Sequence, residues 1–176
     1  MRRVLGLMEL TNCNVPGHDD LRRLYDFWRF RCGVKAVPPR SAFLPEEFRA
    51  WMGHIMIVAP QRTPPRLHVR LNGTCIAQYH GIDVTGRDLE DVLPLRVQER
   101  ALGPCWAAIR TGRPQYDIID SPFPKGTVRP LARLILPCSE DGTTIDRLIL
   151  AIYAADSGRT DETGRPTALS FASPAS

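Results

Sequence analysis

At 176 residues the chain can bury one substantial core without help from disulfides or a structural metal. Its 43% hydrophobic and 24% charged residues are ordinary for a globular protein, and a net charge of +4 is too mild to demand a nucleic-acid partner. No stretch approaches the roughly 18 apolar residues of a membrane span, so the sequence predicts a cytoplasmic protein without membrane contact.

The start, "MRRVLGLMELTNC", imitates a secretion signal, but its apolar run stops at Glu9, too early for an h-region. Residues 1–18 therefore read as a flexible leader. A helix is predicted from Asp19 or Asp20, with Leu21, Leu24, Tyr25, Trp28 and Cys32 at helical spacing and Gly33 placed to end it. Phe27 and Phe30 widen its apolar surface, so the helix lies against either its own sheet or a second copy. A Pro-rich connector leads to a short helix opened by Pro45, and "HIMIVAP" then reads as a strand closed by Pro60.

The next strand alternates Leu67, Val69, Leu71 and Cys75 with His68, Arg70, Asn72 and Thr74. Gly73 interrupts it, the mark of a bulge or of a close approach. "CIAQYHG" follows as one or two helical turns ended by Gly81. Residues 89–112 read as the longest helical segment, with Leu95, Leu102, Trp106 and Ile109 as its stripe and a bend or restart at Gly103-Pro104. A strand over 114–122 precedes a hairpin of two strands around the acidic turn "SEDG". After Asp156 the polar, aperiodic tail reads as disordered. The order predicts an α+β antiparallel sheet with helices grouped on one face.

Five cysteines, at 13, 32, 75, 105 and 138, are odd in number and show no CxxC spacing. Free thiols in a reducing compartment fit best, and no metal-ligand spacing joins them to the four histidines.

Four segments carry a family resemblance: "LRRLYDFWRFRCG" at 21–33, "LPEEFRAWMGHIMIV" at 44–58, "PRLHVRLNGTCIAQYHGIDVTGRDL" at 65–89 and "LILPCSEDGTTIDRLILAI" at 134–152. The chain resembles the bacterial PAS_5-type proteins, single PAS-like domains with a five-stranded antiparallel sheet, helices across one face and here an amphipathic N-terminal helix. The resemblance spans about residues 20–155, so a single domain is placed at 19–155 between the leader and the tail. It implies a sensory or regulatory module that binds a ligand or another protein. Photosensory flavin relatives use a cysteine in an Asn-Cys-Arg motif on a helix; here Asn12-Cys13-Asn14 falls in the leader. Haem relatives place an axial histidine on the middle helix, and residues 90–112 hold none. The cofactor is thus left unknown. No kinase, cyclase or DNA-binding segment is visible, so output is expected to pass through a partner protein.

Within that frame the candidate ligand contacts are Arg70, Tyr79, His80, Trp106 and Arg110. Arg70 could hold a carboxylate or phosphate through its planar fork, or simply pair with a side chain over the strand. His80 is either a titrating contact or a turn residue bonded to backbone. Trp106 could roof a ligand that Arg110 clamps, or belong to the core; Tyr116 and Arg133 are weaker candidates of the same kind. Leu21, Leu24, Tyr25 and Trp28 are the candidate dimer or partner interface. The arginines of that helix alternate with Asp19, Asp20 and Asp26, a solvated face rather than a nucleic-acid surface. No G-x-S-x-G, phosphate loop, HExxH or paired carboxylates support an enzyme. The reading is a sensory or regulatory domain binding a small organic ligand and signalling through a protein partner. Its rival is a ligand-free interaction or dimerisation scaffold.

Overall fold

The run Leu131–Cys138 lacks the alternation of a half-exposed strand, and every residue in it is buried. Strands read this way when both their faces are covered. The computed structural model, which describes residues 8–9, 18–122 and 126–155, shows what covers them. Most of the expected leader and all of the expected tail lie outside the described residues.

The sheet is antiparallel. A two-residue strand β1 (Met8–Glu9) pairs with β4 (Gln115–Pro122) at one edge. The other strands are β2 (Ile55–Arg62), β3 (Pro65–Asn72), β5 (Val128–Cys138) and β6 (Arg147–Ala154), in the spatial order β1-β4-β5-β6-β2-β3. The helices are α1 (Asp19–Cys32), α2 (Thr74–His80), α3 (Leu89–Val92) and α4 (Leu95–Thr111). Three short 3-10 turns, Arg40–Ala42, Pro45–Phe48 and Met52–His54, carry the chain from α1 to β2. This is the expected α+β architecture of five long antiparallel strands with helices.

Side-chain alternation along β5 sorts the helices by face. Arg133 points to one face and donates to the Ala101 carbonyl of α4 at 2.6 Å. Ala132 lies on the other face and pairs with Tyr153, whose ring packs against His18 at the start of α1. So α4 covers an inner face and α1 an outer one. The Trp28 indole N–H donates to the Pro137 carbonyl at 2.9 Å. Leu21, Leu24, Tyr25 and Trp28 are at most 2% exposed, all within one chain. These four side chains pack on the chain's own sheet, one of the two alternatives the sequence leaves open for this helix. Gly33 ends α1 with φ of +55°, a conformation that glycine adopts without a Cβ penalty.

The middle helix breaks in two. Leu93, ahead of Pro94, takes extended dihedrals (φ −91°, ψ 132°), as the proline ring requires of its predecessor. The Gln98 amide ties the pieces together by donating to the carbonyls of Glu90 and Leu93. From Leu95 the helix then runs without restart through Pro104. Its buried stripe is Leu102, Cys105 and Ala108, whereas Leu95, expected in the stripe, is 86% exposed. β2 likewise continues through Pro60 to Arg62. Beyond Val58 only β3 pairs with it, and proline is tolerated where one side of a strand is free.

The strand β3 departs most from its sequence pattern. Ile57 pairs with Leu71, but Val58 pairs with Val69, so Arg70 has no partner across the ladder. This bulge flips the alternation. Leu67 and Val69 are fully buried toward the helices, Asn72 also turns in, and Leu71 is left 39% exposed with Ile57 on the outer face. Gly73 is not the bulge. Its φ is an ordinary −62°, and its lack of a side chain serves close approach: a Cβ there would lie 2.4 Å from the Gly53 carbonyl oxygen.

Candidate functional site

The bulge helps to build a groove of about 290 Å³ on the outer face, beside α1. Ile57, Leu71 and Ile149 form its floor. These residues come from three neighbouring strands, and the pairings Ile57–Ile149 and Ile57–Leu71 set them side by side. Phe43 and Phe48 from the 3-10 segment make a wall, and Arg40, Arg70 and Arg147 stand around it. Among the described residues Arg40 and Arg70 form no ion pair or side-chain hydrogen bond, and Arg147 bonds only the Asp146 carbonyl.

The wall is tied to α1 at several points. Phe27 packs its ring against Phe43, Phe48 and Trp51, with centroids 5.6, 6.1 and 5.9 Å away. Arg31 pairs with Glu47, whose carboxylate also accepts the Leu44 N–H at 2.9 Å. The Trp51 indole donates to the Asp20 carbonyl at 2.9 Å. Whatever moves the groove wall therefore pulls on α1.

Of the five expected ligand contacts, only Arg70 borders this groove. Tyr79, in α2, turns toward His54, with ring centroids 6.0 Å apart. His80 is an exposed residue at the end of α2, its Nδ1 3.4 Å from the Ser121 hydroxyl. Desolvation by the surrounding protein holds its pKa below the ordinary value. Trp106 packs at the edge of the core on α4, and Arg110 is exposed near that helix's end. The structure does not gather the five into one site. His68, on the same strand as Arg70, is engaged by Asp88 at 2.8 Å. Arg133 is committed to a carboxylate: its Nε and Nη2 donate to the two oxygens of Asp117 at 2.9 and 2.6 Å.

Sequence reading missed the groove because its members are scattered over 110 positions and meet only through strand pairing. The one local signal is "SAFLPEEF", where two phenylalanines sit in a connector between the first helix and the first long strand.

Thiol chemistry finds no support in the interior. Cys32, Cys75, Cys105 and Cys138 are free. Burial pushes the Cys105 thiol up to about 11 and Cys138 to about 12, which leaves both as protonated, unreactive core groups.

A second cluster sits where α1 begins. The Tyr153 ring lies between two imidazoles, His54 at 3.9 Å and nearly parallel, His18 at 4.3 Å. His54 Nδ1 meets the Ile152 carbonyl at 2.9 Å, whereas both ring nitrogens of His18, a residue 6% exposed, lack a hydrogen-bond partner among the described residues. Burial lowers the His18 pKa below 6.5, against the pull of Asp20. The unfolded chain therefore takes up this proton before the folded one does. The His18 contribution to stability is complete above pH 6.5 and is lost as pH falls below it. Urea midpoints at pH 7.5 and 5.5 should show this fall, and His18→Phe, which keeps the ring stack, should reduce it. An undiminished fall in the variant would assign the effect elsewhere.

Residues 17–118, from just before α1 into β4, match the profile of the PAS_5 family, a PAS domain. The chain belongs to the PAS_5 family. Among solved structures, this PAS domain is similar to an RNA-binding light-oxygen-voltage receptor, with a TM-score of 0.53 at 12% identity over 85% of this chain. It spans 38% of that receptor's length, and the likeness is one of fold. The light state of the blue-light photoreceptor Aureochrome1 LOV also matches, with a TM-score of 0.46 and 12% identity over 69% of this chain and 93% of that one. No curated protein matches the sequence. Among the described residues no helix is long and apolar enough to cross a membrane.

Proposed function

We propose that this PAS domain is a cytoplasmic sensory or regulatory module. It binds a small organic ligand and passes the occupied state to a protein partner. The observation that carries the reading is the groove beside α1: concave, apolar in its floor and wall, and near the lower end of the ~300–1,000 Å³ of ligand clefts. Its wall belongs to the segment that holds α1 through Phe27, Arg31 and Trp51. A ligand that tightens the wall would bias how α1 and the outer face are presented. Sensing requires only that its affinity differ between two such arrangements. The rival is a ligand-free interaction scaffold, favoured by the exposure of Met52 and Leu71, which line the same groove. No catalytic chemistry is part of either reading.

Native mass spectrometry of the purified protein, with an absorbance spectrum and melting curves over a metabolite panel, separates the two. Co-purified mass or a ligand-dependent rise in Tm is the expected result. A colourless, ligand-free protein whose Tm ignores the whole panel would leave the scaffold.

A further inference from the structure

We infer that the outer-face groove takes a small carboxylate with an apolar body, of the class of a medium-chain acyl acid. This deepens the ligand-binding reading and rests on it. Two observations point the same way. The first is charge: Arg40, Arg70 and Arg147 border one apolar space, and among the described residues none of them pairs with a carboxylate. Three guanidinium groups around an uncharged floor form a field that an anion completes, and Arg offers a planar fork that matches a carboxylate.

The second is the bulge. A regular strand would turn Leu71 toward the helices with Val69. Leaving Arg70 unpaired instead sends Leu71 out to join Ile57 and Ile149, and puts a cation beside the new apolar floor. One irregularity thus brings an apolar floor to the face on which Arg70 already stands. The volume of about 290 Å³ is small for a nucleotide or a macrocycle and suits a short acyl or aryl acid. A second copy of the chain would bring its own three arginines against these three. That like-charge contact argues against self-association here.

Octanoate is the probe, with 1-octanol as its uncharged counterpart, followed by amide chemical shifts in ¹⁵N-labelled full-length protein. Octanoate should move the amides of Ile57, Leu71 and Ile149 before those of α4, and 1-octanol should bind about tenfold more weakly or worse. Arg70→Gln should weaken octanoate by about tenfold while leaving 1-octanol unchanged. Leu71→Glu, at an exposed position, should abolish octanoate binding. Arg40→Gln provides a second exposed arginine variant should Arg70→Gln fold poorly. Equal binding of the two probes, indifference to both arginine variants, or shifts confined to the helical face would overturn the inference. So would the absence of any shift. A co-purified ligand whose binding ignores Arg70→Gln and Leu71→Glu would remove this inference and leave the sensor reading standing. A protein that binds nothing from the panel would remove both.

Discussion

Alanine in place of Asp117 is expected to lower the unfolding free energy by about 3–5 kcal/mol, the usual cost of stripping a buried ion pair of one member. Arg133 and Asp117 sit directly opposite each other on β5 and β4, nearly closed to solvent under α4. Two guanidinium nitrogens face the two carboxylate oxygens, and the third, Nη1, donates to the Ala101 carbonyl. Without Asp117 the charge remains, held by one helix carbonyl and surrounded by Cys105 and the sheet. Water cannot reach it cheaply. Removing both partners tells a different story, since apolar groups of similar volume often replace a buried pair at little cost. The variant Asp117→Leu/Arg133→Met should therefore recover most of what Asp117→Ala loses. Urea denaturation of the three proteins is the measurement. A single-variant loss below about 1 kcal/mol would mean that the pair is hydrated in solution.

That pair also shows what the sequence could and could not disclose. Arg133 reads from the sequence as one of the weaker candidate ligand contacts, with no carboxylate close to it in the chain. The partner lies sixteen positions away and is fixed by strand register, which no local pattern encodes. Features governed by local chemistry were legible. Asp19 and Gly33 bracket α1 as predicted, Gly81 closes α2, and the acidic turn joins β5 to β6. The antiparallel sheet and the family follow from the order of such elements. The alternation in β3 misled because one bulge opposite Ile57 and Val58 reverses every side chain after it. Arg70 follows the ordinary alternation from the buried Val69 onto the outer face, where it borders the groove away from Tyr79, Trp106 and Arg110.

Trp28→Ala should be comparably damaging, at about 3–5 kcal/mol, for a different reason. The indole is 2% exposed between α1 and the outer face, and its removal leaves a cavity beside Tyr25 and Cys138. It also orphans the Pro137 carbonyl, whose acceptor site has no other side-chain donor in the described structure. The two contributions separate in Trp28→Phe, which refills much of the cavity but cannot donate; about 1–2 kcal/mol of the loss should persist there. Phe30→Ser, on the same helix but 79% exposed, should cost less than about 0.5 kcal/mol. If α1 is an internal cap, Trp28→Ala weakens folding and leaves the native oligomeric mass at its wild-type value under light scattering. A variant that keeps its urea midpoint but changes mass would place Trp28 at a subunit contact instead. On the proposed sensory reading, a helix anchored on its own sheet would report on the groove only by shifting against that sheet, and Phe27 with the Phe43–Phe48 wall is the contact through which the shift would travel.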